Sequence, residues 1–179
     1  MARRLAKKAF GEGRMVVDAS GLGSFFGKLA AAYPGRETLA MLCIGTDRST
    51  GDAYGPLLGT ALADQGWPLV IGTMEAPCDA NRLQAAIAAI PADAVVIAFD
   101  ACLGKEDDIG QFSIAEGPLT PAAATGGLHG PVGHYSIAAV VGRRSIKPLW
   151  ELQSASLRQV MAMAGATAQA IQEAWVMKR

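Results

Sequence analysis

The stretch from Met41 to Gly59, MLCIGTDRSTGDAYGPLLG, decides the fold of this chain. It begins within an apolar run, Leu39 to Ile44, that predicts a buried strand, and it breaks at Gly45 into a polar loop. Apolar sequence returns from Pro56 to Gln65 and predicts a helix. In open α/β folds, a strand that ends in a polar loop before a helix places functional groups at the edge of the sheet. We therefore expect this loop to form half of a functional site.

The rest of the chain alternates between predicted strands and predicted helices. This order calls for right-handed crossovers and a mostly parallel central sheet with helices on both faces, which is an α/β fold of three layers, α/β/α. Asp18 or Ser20 can cap the first helix and Asp79 the third, while Gly117 to Gly133 is a long Gly/Pro-rich loop and a candidate lid. The predicted strands are Thr38 to Ile44, Pro68 to Met74, Ala94 to Phe99, Gln111 to Ala115 and Tyr135 to Val141, and the predicted helices are Leu22 to Tyr33, Pro56 to Gln65, Ala80 to Ile90 and Ser154 to Met177.

The size and composition fit one globular domain that spans residues 1–179. Apolar residues make up 51% of the chain and charged residues 18%, which is not the composition of a disordered protein. The formal net charge is zero, so nothing in the overall charge favours nucleic acid or an anionic membrane as a partner. No apolar stretch approaches the roughly 20 residues that a membrane span needs. We expect a soluble, cytoplasmic protein.

Basic residues cluster at the start of the chain, where residues 1–14 are expected to be a flexible, solvated segment. No apolar segment of the kind found in a secretory signal follows the basic cluster. The cysteines are odd in number and form no CxxC pair, so we expect reduced thiols and no structural zinc site. The basic residues are Arg3, Arg4, Lys7 and Lys8, and the cysteines are Cys43, Cys78 and Cys102.

Four carboxylates, Asp47, Asp52, Glu75 and Asp100, fall at or just beyond the ends of the first three predicted strands. The carboxyl ends of parallel strands share one edge of a sheet, and ligands bind at that edge. Two carboxylates that are buried close together share a proton, and one pKa rises. Such a pair can activate water with one member and protonate a leaving nitrogen with the other. Each of these residues, taken alone, could instead cap a helix or order a turn.

Other chemistry is also open to these residues. The loop Gly45 to Asp52 lacks the lysine of a phosphate-binding loop, because Asp52 stands in its place and would repel phosphate. Arg48 could pair with Asp47 or with a substrate carboxylate. Cys102 with His129 or His134 could form a nucleophile and base, although a lone cysteine is usually just buried. Asp52, Glu75, Asp100 and one histidine could bind a divalent transition metal.

The residues also resemble a known family, the YyaC family of sporulation proteins. The resemblance runs from about Leu39 to Ala164 and is most specific in GTDRSTGD. That family is similar to the germination proteases of spore-forming bacteria and, more distantly, to the hydrogenase maturation peptidases. The matching segments are CIGTDRSTGDAYGPLLG, FDACLG (Phe99 to Gly104), GPLTP (Gly117 to Pro121), PVGHYSI (Pro131 to Ile137) and LRQVMAMA (Leu157 to Ala164).

The resemblance implies a three-layer α/β fold and a catalytic pair of aspartates. One aspartate of the germination proteases lies in a D-A-x-G-P segment, which matches Asp52 in Asp52-Ala53-Tyr54-Gly55-Pro56. The other lies in a D-A-L segment, which matches Asp100, with Cys102 in place of the leucine. The resemblance thus selects Asp52 and Asp100 from the four candidates. Residues that would bind substrate or support the pair are Asp47, Arg48, Ser49, Glu75 and His134.

The resemblance also implies a biological setting, in the forespore or mother cell of a spore-forming bacterium. The expected activity is hydrolysis of an amide bond in a protein or peptide, such as a small spore protein, without a cofactor. One alternative is a non-catalytic binding or regulatory module on the same fold. A second is a maturation-type peptidase that depends on a divalent metal such as nickel or zinc. A homo-oligomer is possible in each case.

Overall fold

The computed structural model describes residues 13–121 and 130–176 of the chain. Within these ranges six strands form one sheet, so the α/β class is confirmed. The strands are Met15–Val17 (β1), Leu39–Cys43 (β2), Val70–Ile71 (β3), Val95–Gly104 (β4), Phe112–Glu116 (β5) and Tyr135–Arg143 (β6). The helices are Ala19–Ala32 (α1), Tyr54–Asp64 (α2), Ala80–Ala89 (α3), Pro148–Gln153 (α4) and Leu157–Val176 (α5), and single 3-10 turns span Arg36–Thr38, Gly51–Ala53 and Glu106–Asp108.

The sheet is mixed, with the strand order β1-β5-β6-β4-β2-β3. The four strands from β6 to β3 run parallel, as predicted, whereas β5 is antiparallel to both β6 and β1. The expectation of a mostly parallel sheet therefore holds for the centre and fails at one side. Only residues 105–111 join β4 to β5. A connection between parallel strands needs about a dozen residues or more. Because the connection from β4 to β5 is shorter than that, β5 runs in the opposite direction.

Several strands and helices begin or end at residues other than those predicted. The strand that was expected to end at Phe99 continues to Gly104, and the strand predicted over Pro68 to Met74 shrinks to the two residues of β3. The last helix begins at Leu157, because a separate short helix, α4, precedes it. Neither α4 nor β1 was predicted. The predicted caps are confirmed: Asp18 accepts a hydrogen bond from the Gly21 N–H, and Asp79 caps α3.

The central strands are buried on both faces, which explains their unbroken apolar sequence. Residues of β2 alternate between two cores: Met41 packs with α1, α2 and α5, whereas Leu42 packs with Leu83 of α3 on the other face. All five residues of β2 are buried. The long helix α5 is fixed against α1 because the Trp175 indole Nε1 donates a hydrogen bond of 2.9 Å to the Tyr33 carbonyl. The strand β2, which leads into the polar loop, is thus held on both faces by packed helices.

Some predictions concern residues outside the described ranges. These are the basic N-terminal cluster (Arg3, Arg4, Lys7 and Lys8), His129, Met177 and residues 122–129 of the candidate lid. On either side of residues 122–129, the backbones of Leu119 and Val132 exchange two hydrogen bonds. Among the described helices, none is long and apolar enough to cross a membrane.

Candidate functional site

The site begins where β2 leaves the sheet. Gly45 follows the strand at φ +153°, and a Cβ there would overlap the Asp52 carbonyl oxygen. Gly55 lies in the first turn of α2, where a Cβ would overlap the Ile44 carbonyl oxygen. Only glycine allows both close approaches. The start of α2 therefore packs directly against the end of β2, and the polar loop connects the two.

Asp52 lies on the 3-10 turn Gly51–Ala53, between this loop and α2. Its side chain is half-buried, and burial raises the pKa of the carboxyl. The Ser49 hydroxyl partly opposes this rise because it interacts with the charged form of the carboxyl. The contact is outside strict hydrogen-bond geometry, since the buried Ser49 Oγ has no hydrogen-bond partner among the described residues. Burial, and not a neighbouring carboxylate, is the main cause of the shift.

Asp100 lies in β4, one residue beyond the last residue that pairs with β2. The side chains of β4 alternate between the faces of the sheet, and Asp100 shares a face with Ala98 and Cys102. Its Oδ1 accepts a hydrogen bond of 2.8 Å from the Ala101 N–H. On the other side, Asp100 is in register with Ala138 of β6. The strand thus fixes the backbone of Asp100, and its half-buried side chain lines a cavity.

Asp52 and Asp100 line the same cavity, which has a volume of about 600 Å³. This volume lies within the range of small-molecule and peptide sites, about 300–1,000 Å³. The walls come from the polar loop, the start of α3, the second half of β4 and the start of α4. The lining residues are Ile44, Gly45, Thr46, Arg48, Asp52, Asp79, Ala80, Asn81, Asp100, Ala101, Cys102, Leu103, Leu119, Thr120, Ala138, Arg144, Pro148 and Leu152.

Two of the charged residues that line the cavity were not predicted as site residues, Asp79 and Arg144. Asp79 was recognised as a helix cap, and its Oδ1 accepts hydrogen bonds from the N–H groups of Asn81 and Arg82. Its Oδ2 lies 3.4 Å from Arg48, so Arg48 pairs with Asp79 rather than with Asp47. Its cap position at the start of α3, in the connection after β3, could have indicated Asp79. No local pattern marks Arg144, which follows β6.

Four of the predicted supporting residues, Asp47, Ser49, Glu75 and His134, do not line the cavity, although Ser49 lies beside Asp52. Asp47 and Glu75 are exposed on the loops that follow β2 and β3. His134 precedes β6 and lies beside the start of β4, where its Nδ1 accepts a hydrogen bond of 2.9 Å from the Val96 N–H. Asp100 is four residues further along β4, about 13 Å at the rise of a strand. His134 therefore lies toward the amino-terminal end of these strands.

The thiol alternative gains no support from the surroundings of Cys102. Burial and the nearby charge of Asp100 raise the pKa of this thiol to about 11, although Arg14 and Arg144 partly oppose the rise. At neutral pH the group is a thiol, and the thiolate is the nucleophilic form. His134 is engaged with Val96 at the other end of β4, and His129 lies outside the described ranges.

The metal alternative needs two carboxylates and a histidine close together. The part of the chain that the structure describes holds no group of three or more His, Cys, Asp or Glu side chains that could bind a metal ion. Asp52 and Asp100 line the cavity, but His134 is turned toward Val96. The described donor set does not fit a nickel or zinc site of that type.

Fold and site together define an α/β protein with an acidic cleft at the carboxyl end of parallel strands. A family model described as "Protein of unknown function (DUF1256)" matches residues 18–170, and the chain belongs to that family. The chain is also 36% identical over 140 residues to "Uncharacterized protein YyaC" of Bacillus subtilis (strain 168), a match that covers 75% of this chain and 68% of the relative. The predicted kinship with YyaC is confirmed, and the link to proteases stays a prediction. No solved structure matches the chain significantly.

Proposed function

We propose that the protein is a peptidase that hydrolyses an amide bond through Asp52 and Asp100. The observation that carries this proposal is that both carboxyls line one cavity, although 48 positions separate them in the sequence. A pair of carboxyls at one cavity can supply a base for water and an acid for the leaving nitrogen. The cavity walls also contribute apolar surface from Ile44, Leu119 and Leu152, as a peptide site requires.

The surroundings of the two carboxyls suggest which one acts as acid. Burial raises the pKa of Asp52, so this group holds a proton to a higher pH than an ordinary aspartate does. In the proposed mechanism, Asp100 takes a proton from the attacking water. Asp52 gives its proton to the leaving nitrogen as the carbon–nitrogen bond breaks. The proton now on Asp100 returns to Asp52 through solvent after the products leave.

The proposed setting is sporulation, with a small spore protein as the substrate. This part rests on kinship with the YyaC relative of Bacillus subtilis and on the likeness of Asp52-Ala53-Tyr54-Gly55-Pro56 to the germination protease motif. We propose the same three-layer α/β/α fold for this chain. It is supported by the two cores on opposite faces of the sheet, one with α1, α2 and α5 and the other with α3.

Hydrolysis assays test the proposal directly. The chain and its Asp52→Asn and Asp100→Asn variants would be incubated with small acid-soluble spore proteins and with a synthetic peptide library. Each substitution should lower the rate by about a hundredfold or more, the usual contribution of a general acid or base. Asp93→Asn is the matched control, because Asp93 is an exposed carboxylate just before β4 and should leave the rate unchanged. Cleavage that survives both active-site substitutions would refute the mechanism.

A binding module on the same fold is the second candidate, and one observation favours it. The carboxylates of the cleft also have structural partners: Asp79 caps α3 and pairs with Arg48, and Asp100 accepts the Ala101 N–H. Carboxylates held in this way could serve only to shape a peptide-binding cleft. Peptide binding by the wild-type chain without any cleavage between mildly acidic and neutral pH would favour this function.

A further inference from the structure

The two strands that meet at the cavity differ in length, and the difference leaves a backbone edge open. The last pair between β2 and β4 is Cys43 with Phe99, and the Ile44 N–H donates to the Phe99 carbonyl at 2.8 Å. The backbone of Phe99 therefore faces β2. Backbone groups alternate in direction along a strand, so those of Ala101 and Leu103 face the same side. Nothing from β2 lies opposite these two residues.

The other side of β4 confirms this alternation. The Val96 carbonyl accepts a hydrogen bond from the His134 N–H, so even-numbered residues of β4 face β6. The register with β6 shifts between Cys102 and Leu103, but beyond the shift the Gly104 carbonyl accepts a hydrogen bond from the Arg144 N–H, so even-numbered residues still face the β6 side. On the β2 side beyond Phe99, one hydrogen bond forms among the described residues, from the Ala101 N–H to Asp100 Oδ1. The Ala101 carbonyl and both backbone groups of Leu103 are therefore left without a partner in the described part of the chain.

These unpaired groups belong to a fixed element. The Leu103 side chain is buried in the core beneath α4, and β6 holds the backbone of β4 on the other side. Ala101, Cys102 and Leu103 all line the cavity. A partly buried strand edge costs free energy unless it is paired, and such edges accept extended peptides as an added strand. The edge is thus prepared for a partner that supplies backbone donors and acceptors.

We infer that the cleft binds its substrate as an extended peptide that pairs with Ala101 to Leu103 and continues the line of β2. The inference rests on the proposed function for the identity of the occupant. Three residues of strand cover about 10 Å, so the bound segment begins beside Asp100 and extends away from it along β4. Binding through backbone groups makes recognition tolerant of side chains and selects chains that are locally unfolded, because a folded segment has its backbone groups already paired.

Backbone methylation of a bound peptide provides the test. The probe is a peptide selected from a random synthetic library for binding to the Asp52→Asn variant, which keeps the Asp100 side chain beside the edge. Each peptide nitrogen would then be methylated in turn. A strand that pairs along one edge uses every second N–H, so methylation should weaken binding about tenfold at alternate positions and little at those between. A flat profile, or a failure to select any binder, would overturn the inference.

Amide hydrogen exchange of the protein supplies an independent readout. The Leu103 N–H faces the open edge, so its exchange should slow by about tenfold or more when the same peptide binds. The Cys102 N–H is the internal control, because it faces β6 and is already protected in the free protein. Equal slowing at both positions would indicate general rigidification of β4 and would contradict strand pairing.

The two proposals fail in different ways. An alternating methylation profile without any cleavage by the wild-type chain would keep the added strand and refute the peptidase. Cleavage that depends on Asp52 and Asp100, combined with a flat profile and an unprotected Leu103 N–H, would keep the peptidase and refute the added strand.

Discussion

The two halves of β4 differ although they form one continuous strand. From Val95 to Phe99 the strand lies between β2 and β6, and the residues from Val96 to Phe99 are buried. From Asp100 to Gly104 it pairs with β6 alone, and four of its five residues are partly exposed. The first half is core, and the second half is the floor of the cleft. The difference arises because β2 ends at Cys43, so Asp100 lies on a central strand and still remains partly exposed.

This arrangement holds Asp100 in place. A side chain on a loop moves with the loop, whereas Asp100 is fixed by the strand that also anchors the core. Asp52 is positioned by close packing instead, since its turn lies between Gly45 and the start of α2. The proposed mechanism needs both carboxyls to be held in fixed positions, and a strand and a closely packed turn are two ways to do so.

The sharpest contrast between the halves should appear in stability. Phe99 is fully buried and its ring lies 6.3 Å from that of Phe26, so Phe99→Ala should lower the free energy of unfolding by about 3–5 kcal/mol. Cys102→Ala, in the second half, should cost about 1 kcal/mol or less because the side chain is partly exposed. Denaturant unfolding measures both. Similar losses would contradict the division of β4 into core and cleft floor.

The thiol in the second half should react slowly despite its exposure. With a pKa of about 11, only about one Cys102 side chain in a thousand is a thiolate at pH 8. Alkylation by iodoacetamide, followed by mass spectrometry, should therefore be about a hundredfold slower than for an unperturbed cysteine. Peptide hydrolysis by Cys102→Ser should be unchanged. Fast alkylation together with loss of hydrolysis would restore the thiol mechanism.

The two halves of β4 differ because β2 ends where α2 packs closely against it. A substitution at Gly55 tests this packing. Gly55→Ala places a Cβ against the Ile44 carbonyl oxygen and should cost about 1–3 kcal/mol of unfolding free energy. The matched control is Gly165→Ala on α5, where a Cβ meets no atom within 4 Å and alanine favours the helix. Thermal or denaturant unfolding compares the two. Equal effects would show that α2 can shift away from β2 without cost.

The smallest effect expected is a change in pH dependence from Asp52. Its pKa in the folded protein is raised above the ordinary value of 3.8, so the folded state binds the proton more tightly than the unfolded state. Stability should fall as pH rises from 3.8 through the folded pKa, because the buried group must then ionise. Asp52→Asn removes this loss and should flatten the stability curve, while Asp93→Asn should leave its shape unchanged. A curve of unchanged shape for Asp52→Asn would contradict the shift.

Much of the fold could be predicted because it depends on local chemistry. The uninterrupted apolar run of β2 indicates burial on both faces, and the caps at Asp18 and Asp79 follow from side chains that accept N–H groups a few residues away. The direction of β5 was missed because it depends on the short connection after β4. The short strand β3 was overestimated because apolar sequence does not reveal where pairing stops.

The site was predictable only in part. Asp52 and Asp100 were selected by resemblance to known motifs, and both line the cavity. His134 was included for its chemistry, although it directly precedes the predicted strand Tyr135 to Val141 and so lies at the amino end of a parallel strand, away from Asp100. Arg144 was missed because it reaches the cleft through the pairing of β4 with β6.

The sequence by itself determined the α/β class, the buried strand β2, the turn that follows it and the two aspartates. The first three features are set by hydrophobic pattern, glycine and capping chemistry, which act over a few residues, whereas the two aspartates were selected by their resemblance to known motifs. Only the tertiary structure decided that β4 extends beyond the end of β2. This extension leaves the backbone edge of Ala101 to Leu103 open beside Asp100. The reason is physical: whether a backbone group is paired depends on the strand opposite, and that strand comes from a distant part of the chain.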